Sequence, residues 1–401
     1  MIEIDFRNQI DKIKEQIDIV DLIGSRIELK PNNTARCPFH DDHNPSFSIN
    51  VREQYWYCFS CAKGGDVIRF IELFDKKPFY EVLTELAEKV GISLKPLTPE
   101  QKQEFEDEKV IDNIREDTVA FYSGQLTDEA KKYLTESRKL TEVTITENRL
   151  GFARGGLQNF LVNEKGYSLE LCIKASVLIK KEDGTIRDYF YQQVIIPTIK
   201  RGNVVYITGR ILGDNKPSYF HQQGTRNYLY GEDNLSEEKV IIVEGFFDVL
   251  TIKQMDYPVV GLIGVSLNPT HLKKFSNCET ALLLLDPDNA GENAIVKVGK
   301  LFGTRAKVLL LPDEQDPDEF FQAHTKEEID EFLSKAQDFY SYQLQLIDKD
   351  TNKKELPKVL EPLLRQMSEL NEILWGIYLD EIKVRFNLSG DERSYLVNIG
   401  V

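Results

Sequence analysis

Apolar residues recur at four- and three-residue steps at the amino end of this chain. Phe6, Ile10, Ile13, Ile17 and Val20 predict one helical stripe, broken before Asp18 and ended at Gly24. Residues 26–30 alternate like a short strand, and Pro31-Asn32-Asn33 reads as a turn. Residues 46–51 and 55–57 alternate with period two, as paired antiparallel strands do. Pro78 opens an amphipathic helix with Phe79, Val82, Leu83, Leu86 and Val90 on one face, ended by Gly91. The segment 96–117 is strongly acidic with few apolar anchors and is expected to be a flexible linker running into the entry helix of the next domain.

Gln193-Val194-Ile195-Ile196-Pro197 and Val204-Val205-Tyr206-Ile207 read as strands within a mixed α/β stretch. Three continuous apolar runs follow at 240–243, 281–285 and 306–311. Runs this short and unbroken predict strands buried on both faces, as in a parallel sheet, and the first two lead into helical spacing. Beyond Phe320 the pattern is purely helical, through Ile329, Leu333 and Phe339, then Leu360, Leu364 and Met367, then Leu374, Tyr378 and Ile382.

Composition limits what such a chain can be. Its 401 residues leave room for two or three domains, and 41% hydrophobic with 29% charged residues is the balance of a soluble globular protein. No apolar run approaches ~18 residues and no amino-terminal signal is present, so a cytoplasmic protein is expected. The formal charge of −16 is the wrong sign for gripping phosphates over a whole surface. Nucleic-acid contact must then be local, and residues 180–230, with eight Lys or Arg against four acids, are the basic exception.

Two groups of residues carry candidate chemistry. Cys37-Pro38-Phe39-His40 and Cys58-Phe59-Ser60-Cys61 are ligand pairs of equal spacing separated by a hairpin's length, as a tetrahedral zinc site requires. Cys37, His40, Cys58 and Cys61 are therefore the expected ligands of one structural Zn²⁺. His43 breaks the spacing and is expected at the surface, while Cys172 and Cys278 read as buried thiols. The second group is acidic. The three apolar runs lead to Glu244, to Asp286 and Asp288, and to Asp316 and Asp318. Ligands of open α/β sheets sit beyond the carboxyl ends of the strands, so these carboxylates are expected in one crevice. Their repulsion calls for a cation, and hard oxygen ligands suit Mg²⁺ or Mn²⁺, with the second Asp-x-Asp offering a place for a second ion. No G-x-x-x-x-G-K-[ST] sequence occurs, which excludes a fused helicase motor.

These residues also carry a family resemblance. Residues 243–248 (Val-Glu-Gly-Phe-Phe-Asp), 283–291 and 311–320 resemble the Toprim domain shared by topoisomerases and primases, the last in the form found in DnaG-type primases. The cysteine knuckles are similar to the primase zinc-binding domain, and Tyr133-Leu134, Arg138-Lys139-Leu140-Thr141 and Leu150-Gly151-Phe152-Ala153 resemble the start of the DnaG-type polymerase domain. The resemblance implies a multidomain α+β and α/β fold. Its parts are a zinc-ribbon β domain at 1–95, the acidic linker at 96–117, a mixed α/β basic subdomain at 118–236, a Toprim parallel-sheet domain at 237–325 and a helical subdomain at 326–401.

It further implies a DNA primase, a DNA-directed RNA polymerase that joins ribonucleoside triphosphates into short RNA primers on single-stranded DNA during replication. Glu244, Asp286 and Asp288 are its catalytic candidates, Glu244 either as metal ligand or as proton carrier, and Asp316 and Asp318 add metal ligands. Arg210 falls on the family's motif arginine, and Lys216 and Arg226 lie near enough in sequence to replace the basic residues that relatives carry at Gln193 and Ser218. These three are expected to hold template and triphosphate. Tyr55, Trp56 and Phe59 are candidates for stacking on single-stranded bases. A helicase-binding domain has no room after the helical subdomain, so contact with a replicative helicase is expected through another surface. Two alternatives stay open: a weakly active or inactive primase-like protein bound to single-stranded DNA or a replisome partner, and a Toprim nuclease.

Overall fold

The amino-terminal stripe folds as two helices, Ile4–Glu15 and Ile19–Gly24, because the Asp18 side chain accepts the N–H groups of Val20 and Asp21 and caps the second. The computed structural model describes residues 4–61, 63–94, 96–213, 218–224, 228–264, 267, 269–286, 289–312 and 315–389. It divides the chain into two units, Met1–Asp233 and Asn234–Val401.

In the first unit, Phe47–Asn50 and Tyr55–Cys58 form the expected antiparallel hairpin, flanked by Thr34–Ala35 and Gly64–Gly65. The strand expected at 26–30 does not form: the chain there closes the preceding helix, with the Ile27 N–H on the Ile23 carbonyl, and Thr34–Ala35 takes the place beside Phe47 and Ser48. Trp56 has no exposed surface and stacks on Phe47 at 5.1 Å, with Phe39 at 4.9 Å and Phe70 edge-on at 5.9 Å. It is the centre of a core shared with helices Val67–Asp75 and Phe79–Lys89. Trp56 therefore has no face to offer a base. Of the three aromatic residues expected to stack, only Phe59, 61% exposed, stands in solvent.

The flexible linker expected at 96–117 is corrected from Pro99 onward, where a single helix runs Pro99–Ser123. Thr98 and Gln101 form a capping box and Pro99 stands at the first helical position, so the start is specified locally. Tertiary partners do the rest. Phe105 lies 4.5 Å from the Phe79 ring, Lys109 pairs with Glu72, and Arg69 donates to Asn113 at 2.9 Å. Farther along, Ile114 and Tyr122 join the core of the next subdomain. That subdomain holds a four-stranded antiparallel sheet in the order Tyr219–His221, Asn203–Ile211, Gln193–Lys200, Gly151–Phe152. Its central hairpin turns at Arg201 and Gly202, both with positive φ (48° and 76°), the pair of conformations that a two-residue hairpin loop demands.

Zinc-ribbon hairpin and sheet meet around Arg149, which is 9% exposed. Its guanidinium lies 4.4 Å over the Tyr57 ring, pairs with Glu116 at 2.6 Å and donates to the Gly202 carbonyl at 2.7 Å. Tyr55 packs beside it, close enough that a Cβ at Gly202 would stand 3.1 Å from its ring. One side chain thus joins hairpin, long helix and turn. Replacing Arg149 by Ala is expected to lower stability by about 2–4 kcal/mol, since Glu116 loses its buried partner. Urea denaturation, with protease cleavage near residues 90–98 as a second readout, checks this.

The second unit is built on parallel strands in the order Val259–Gly261, Lys239–Val243, Thr280–Leu283, Ala306–Val308. These are the three predicted runs and one more. The expectation of a purely helical pattern after Phe320 needs one correction: Gln337–Asp338 adds an antiparallel edge strand beside Ala306–Val308. Helices Lys326–Ser334, Phe339–Gln345, Leu356–Met367 and Glu372–Arg385 follow the predicted apolar spacing. Among the described residues no helix is long and apolar enough to cross a membrane.

Candidate functional site

The two knuckles bring Cys37, His40, Cys58 and Cys61 together, with one ligand atom of each within 4.8 Å of the others. Cys37 Sγ and Cys61 Sγ are 3.8 Å apart, and Cys58 Sγ lies 3.9 Å from His40 Nδ1. These are edges of a tetrahedron around an ion with ligand bonds of about 2.3 Å, and far too long for a disulfide. Three sulfurs and one imidazole nitrogen in this arrangement fit zinc. The Phe39 and Cys61 N–H groups donate to Cys37 Sγ and Cys58 Sγ, each at 3.4 Å, which favours thiolates. His43 is apart from the group, its side chain 85% exposed and 3.8 Å from Asp41.

The acidic residues of the second unit leave the ends of parallel strands, as the pattern predicts. Glu244 follows Lys239–Val243 directly, and Asp286 follows the run that begins at Thr280. Asp316 is exposed at the N-cap of helix Pro317–Ala323, while Asp318, in its first turn, is buried. Asp288 lies outside the described residues.

A further acid, outside the candidate ligands read from the sequence, is buried nearby. Asp248 is 7% exposed on helix Phe246–Gln254. It accepts the Gly245 N–H at 2.8 Å and the Asp318 N–H at 3.2 Å. Burial pushes its carboxyl up to about 7, and the charges of Asp318 and Asp286 add to the push. The charges of Asp318 and Asp286 thus reach the Asp248 carboxyl, but among the described residues no three acids bring one oxygen each within 4.8 Å of one another as the Cys/His group does. Carboxylate oxygens are the donors a divalent cation takes. The sequence shows only that Asp248 is the one acid in the apolar run from Phe246 to Leu250; that the residues from Phe246 to Ile252 are all buried is decided by the fold.

This arrangement has a pH signature in the absence of divalent metal. The unfolded chain loses the Asp248 proton near 3.8, whereas the folded protein keeps it to about 7. Between these values the folded state binds more protons, so stability falls as pH rises from about 4 to 7 and the loss levels off above that range. Relative to Asp248→Asn, which cannot titrate, the fall is expected to reach at most about 4 kcal/mol. Urea denaturation in EDTA across that range measures it.

The basic candidates fare differently. Arg210 lies on Asn203–Ile211 with its guanidinium 4.7 Å over the Tyr219 ring. Lys216 and Arg226 lie outside the described residues. Gln193 is 6% exposed, and its Oε1 is packed so closely over Gly209 that a Cβ there would stand 1.9 Å away. It is therefore turned into the protein rather than toward a ligand groove.

Comparison with known proteins agrees in three consecutive segments. Family models match as CHC2 zinc finger over residues 6–102, as DNA primase catalytic core, N-terminal domain, over 120–233, and as Toprim-like over 241–321. The chain is 30% identical to the DNA primase of Pasteurella multocida over 365 residues, covering 82% of this chain and 62% of that protein. With the DNA primase of Synechocystis it shares 30% identity over 406 residues, 90% of this chain and 63% of the relative. The chain thus spans about three fifths of the length of these relatives. The zinc-binding and RNA polymerase domains of the Aquifex aeolicus primase superpose with a TM-score of 0.68 at 25% identity, covering 96% of this chain and 98% of that one. A DnaG primase catalytic domain bound to single-stranded DNA shares the fold over 72% of this chain, with a TM-score of 0.60 at 23% identity. With zinc ribbon, amino-terminal core and Toprim-like sheet in this order, the chain belongs to the DnaG-type primase family.

Proposed function

We propose that this protein synthesises short RNA primers on single-stranded DNA by metal-dependent nucleotidyl transfer. The observation that carries the reading is that Glu244 and Asp286 follow neighbouring parallel strands, while buried Asp248 on the next helix accepts the Asp318 N–H. Such a group of acids is stable at neutral pH when a cation shares it. Glu244, Asp286, Asp288, Asp316 and Asp318 are the residues assigned to hold Mg²⁺ or Mn²⁺. Bound divalent ions supply neutralisation of charge on the attacking 3′-oxygen and on the leaving pyrophosphate.

Asp248 braces the site, since its two oxygens tie the Gly245 and Asp318 backbones together. The primer 3′-oxygen attacks the α-phosphorus of the incoming ribonucleoside triphosphate, the bond to the β-phosphate oxygen breaks, and pyrophosphate leaves. Glu244, next to Gly245, is assigned either to take the hydroxyl proton or to ligate. Arg210, with Lys216 and Arg226, is assigned to template and triphosphate phosphates. The related DnaG catalytic domain bound to single-stranded DNA supports that template. Zn²⁺ is assigned to Cys37, His40, Cys58 and Cys61, and exposed Phe59 on that domain to a template base.

The test is oligonucleotide synthesis on single-stranded DNA with four ribonucleoside triphosphates, with and without Mg²⁺. Products of primer length only with the metal support the reading. Cleavage of the template instead would move it to a nuclease.

A further inference from the structure

Beside the four Cys/His ligand atoms lies a carboxylate that takes no direct place among them. Asp42 has a side chain 5% exposed, and its oxygens are held from both ends of the first knuckle. Oδ2 accepts the Cys37 N–H at 2.7 Å, the Ser46 hydroxyl at 2.7 Å and the Ser46 N–H at 3.3 Å, while Oδ1 accepts the Asn44 N–H at 3.3 Å. Ser46 Oγ is also 3.2 Å from Cys58 Sγ, so the network reaches the second knuckle. A carboxylate fixed by four donors cannot swing away. Its remaining capacity on Oδ1 faces His40 Nε2, 3.7 Å distant, while the opposite ring nitrogen, Nδ1, faces Cys58 Sγ.

We infer that Asp42 is a positioning residue of this metal centre: its fixed carboxylate, 3.7 Å from His40 Nε2, favours the proton on that nitrogen by charge and so presents Nδ1 to the ion. The physical reason is the imidazole itself. A neutral ring has one protonated and one free nitrogen, and a fixed acceptor beside Nε2 selects the tautomer whose Nδ1 lone pair is free to ligate. The same acceptor stops rotation about the ring axis, which three sulfurs alone do not restrain. Asp42 also bonds the Cys37 N–H, so it sets the first cysteine and the histidine of one knuckle from a single side chain.

This inference rests on the assignment of zinc to these four residues, and its test separates the two. Full-length protein and Asp42→Asn are titrated with a zinc-chelating dye, each also in a His40→Cys background, where no imidazole remains to be oriented. Asparagine keeps the size but offers one acceptor oxygen to donors that now use two. Asp42→Asn is expected to lower zinc affinity 10- to 100-fold in the His40 protein and several-fold less in the His40→Cys protein, where only the Cys37 contact is left to lose. Equal losses in both backgrounds, or a loss under threefold in the first, overturn the positioning role. Nitrogen NMR of wild-type His40 decides the matter even where Asp42→Asn does not fold. Nδ1 bound to metal with Nε2 protonated is expected, and Nε2 bound to metal overturns the inference. Wild-type protein that holds no zinc overturns the assignment of zinc itself, and this inference with it.

Discussion

Asp286→Asn is expected to reduce primer synthesis by about 10³-fold or more while leaving the protein folded. The substitution keeps the side chain's size and one oxygen but removes a charge that a divalent ion would share. Metal stabilisation of transition-state charge is worth several kcal/mol, and about 4 kcal/mol corresponds to three orders of magnitude in rate. The effect on stability has the opposite sign. The Asp286 charge is one of the causes that push the Asp248 carboxyl up, so its removal relieves repulsion. In EDTA the variant's melting temperature is therefore expected to equal or exceed that of the wild type, and the rise on adding Mg²⁺ to be smaller. Primer synthesis assays and thermal melts with and without Mg²⁺ check both halves. Normal synthesis, or a variant that unfolds, would make the acidic group a structural feature and move the polymerase site elsewhere.

Removing zinc is expected to unfold the hairpin at about residues 30–65. The four ligands sit in two short knuckles, and metal binding of this kind contributes on the order of 10 kcal/mol of apparent free energy, which in so small a module is folding free energy. Trp56 reports the event directly, because it is wholly buried against Phe39, Phe47 and Phe70. Chelation, or Cys58→Ser, should shift its emission to the red and open residues 34–61 to protease. The other tryptophan, Trp375, lies on helix Glu372–Arg385 in the second unit, and a Trp375→Phe background isolates the signal. Unchanged emission with the metal gone would show that the aromatic core holds the hairpin by itself.

The clustering of Cys37, His40, Cys58 and Cys61 and the placement of Glu244 and Asp286 beyond strands were legible from sequence because each rests on a local rule. Two residues between paired ligands make a knuckle whatever the rest of the chain does, and a short apolar run ending in an acid sends that acid beyond the carboxyl edge of a parallel sheet. The helix break at Asp18 is likewise set by a side chain that caps within three residues. What tertiary structure alone decided depends on who packs against whom. The acidic segment after Thr98 became a helix because Phe79, Glu72 and Arg69 supply partners from another part of the chain. Alternation in 55–57 was visible, but not which face would be covered, and the answer placed Trp56 inside and Tyr57 under Arg149. Arg149 belongs to no motif, and its role exists only where hairpin, helix and turn converge. Asp248 is the same kind of case: a helix position four residues after Glu244 becomes part of an acidic group only when Pro317–Ala323 packs over it and removes the water that would have kept its carboxyl ordinary.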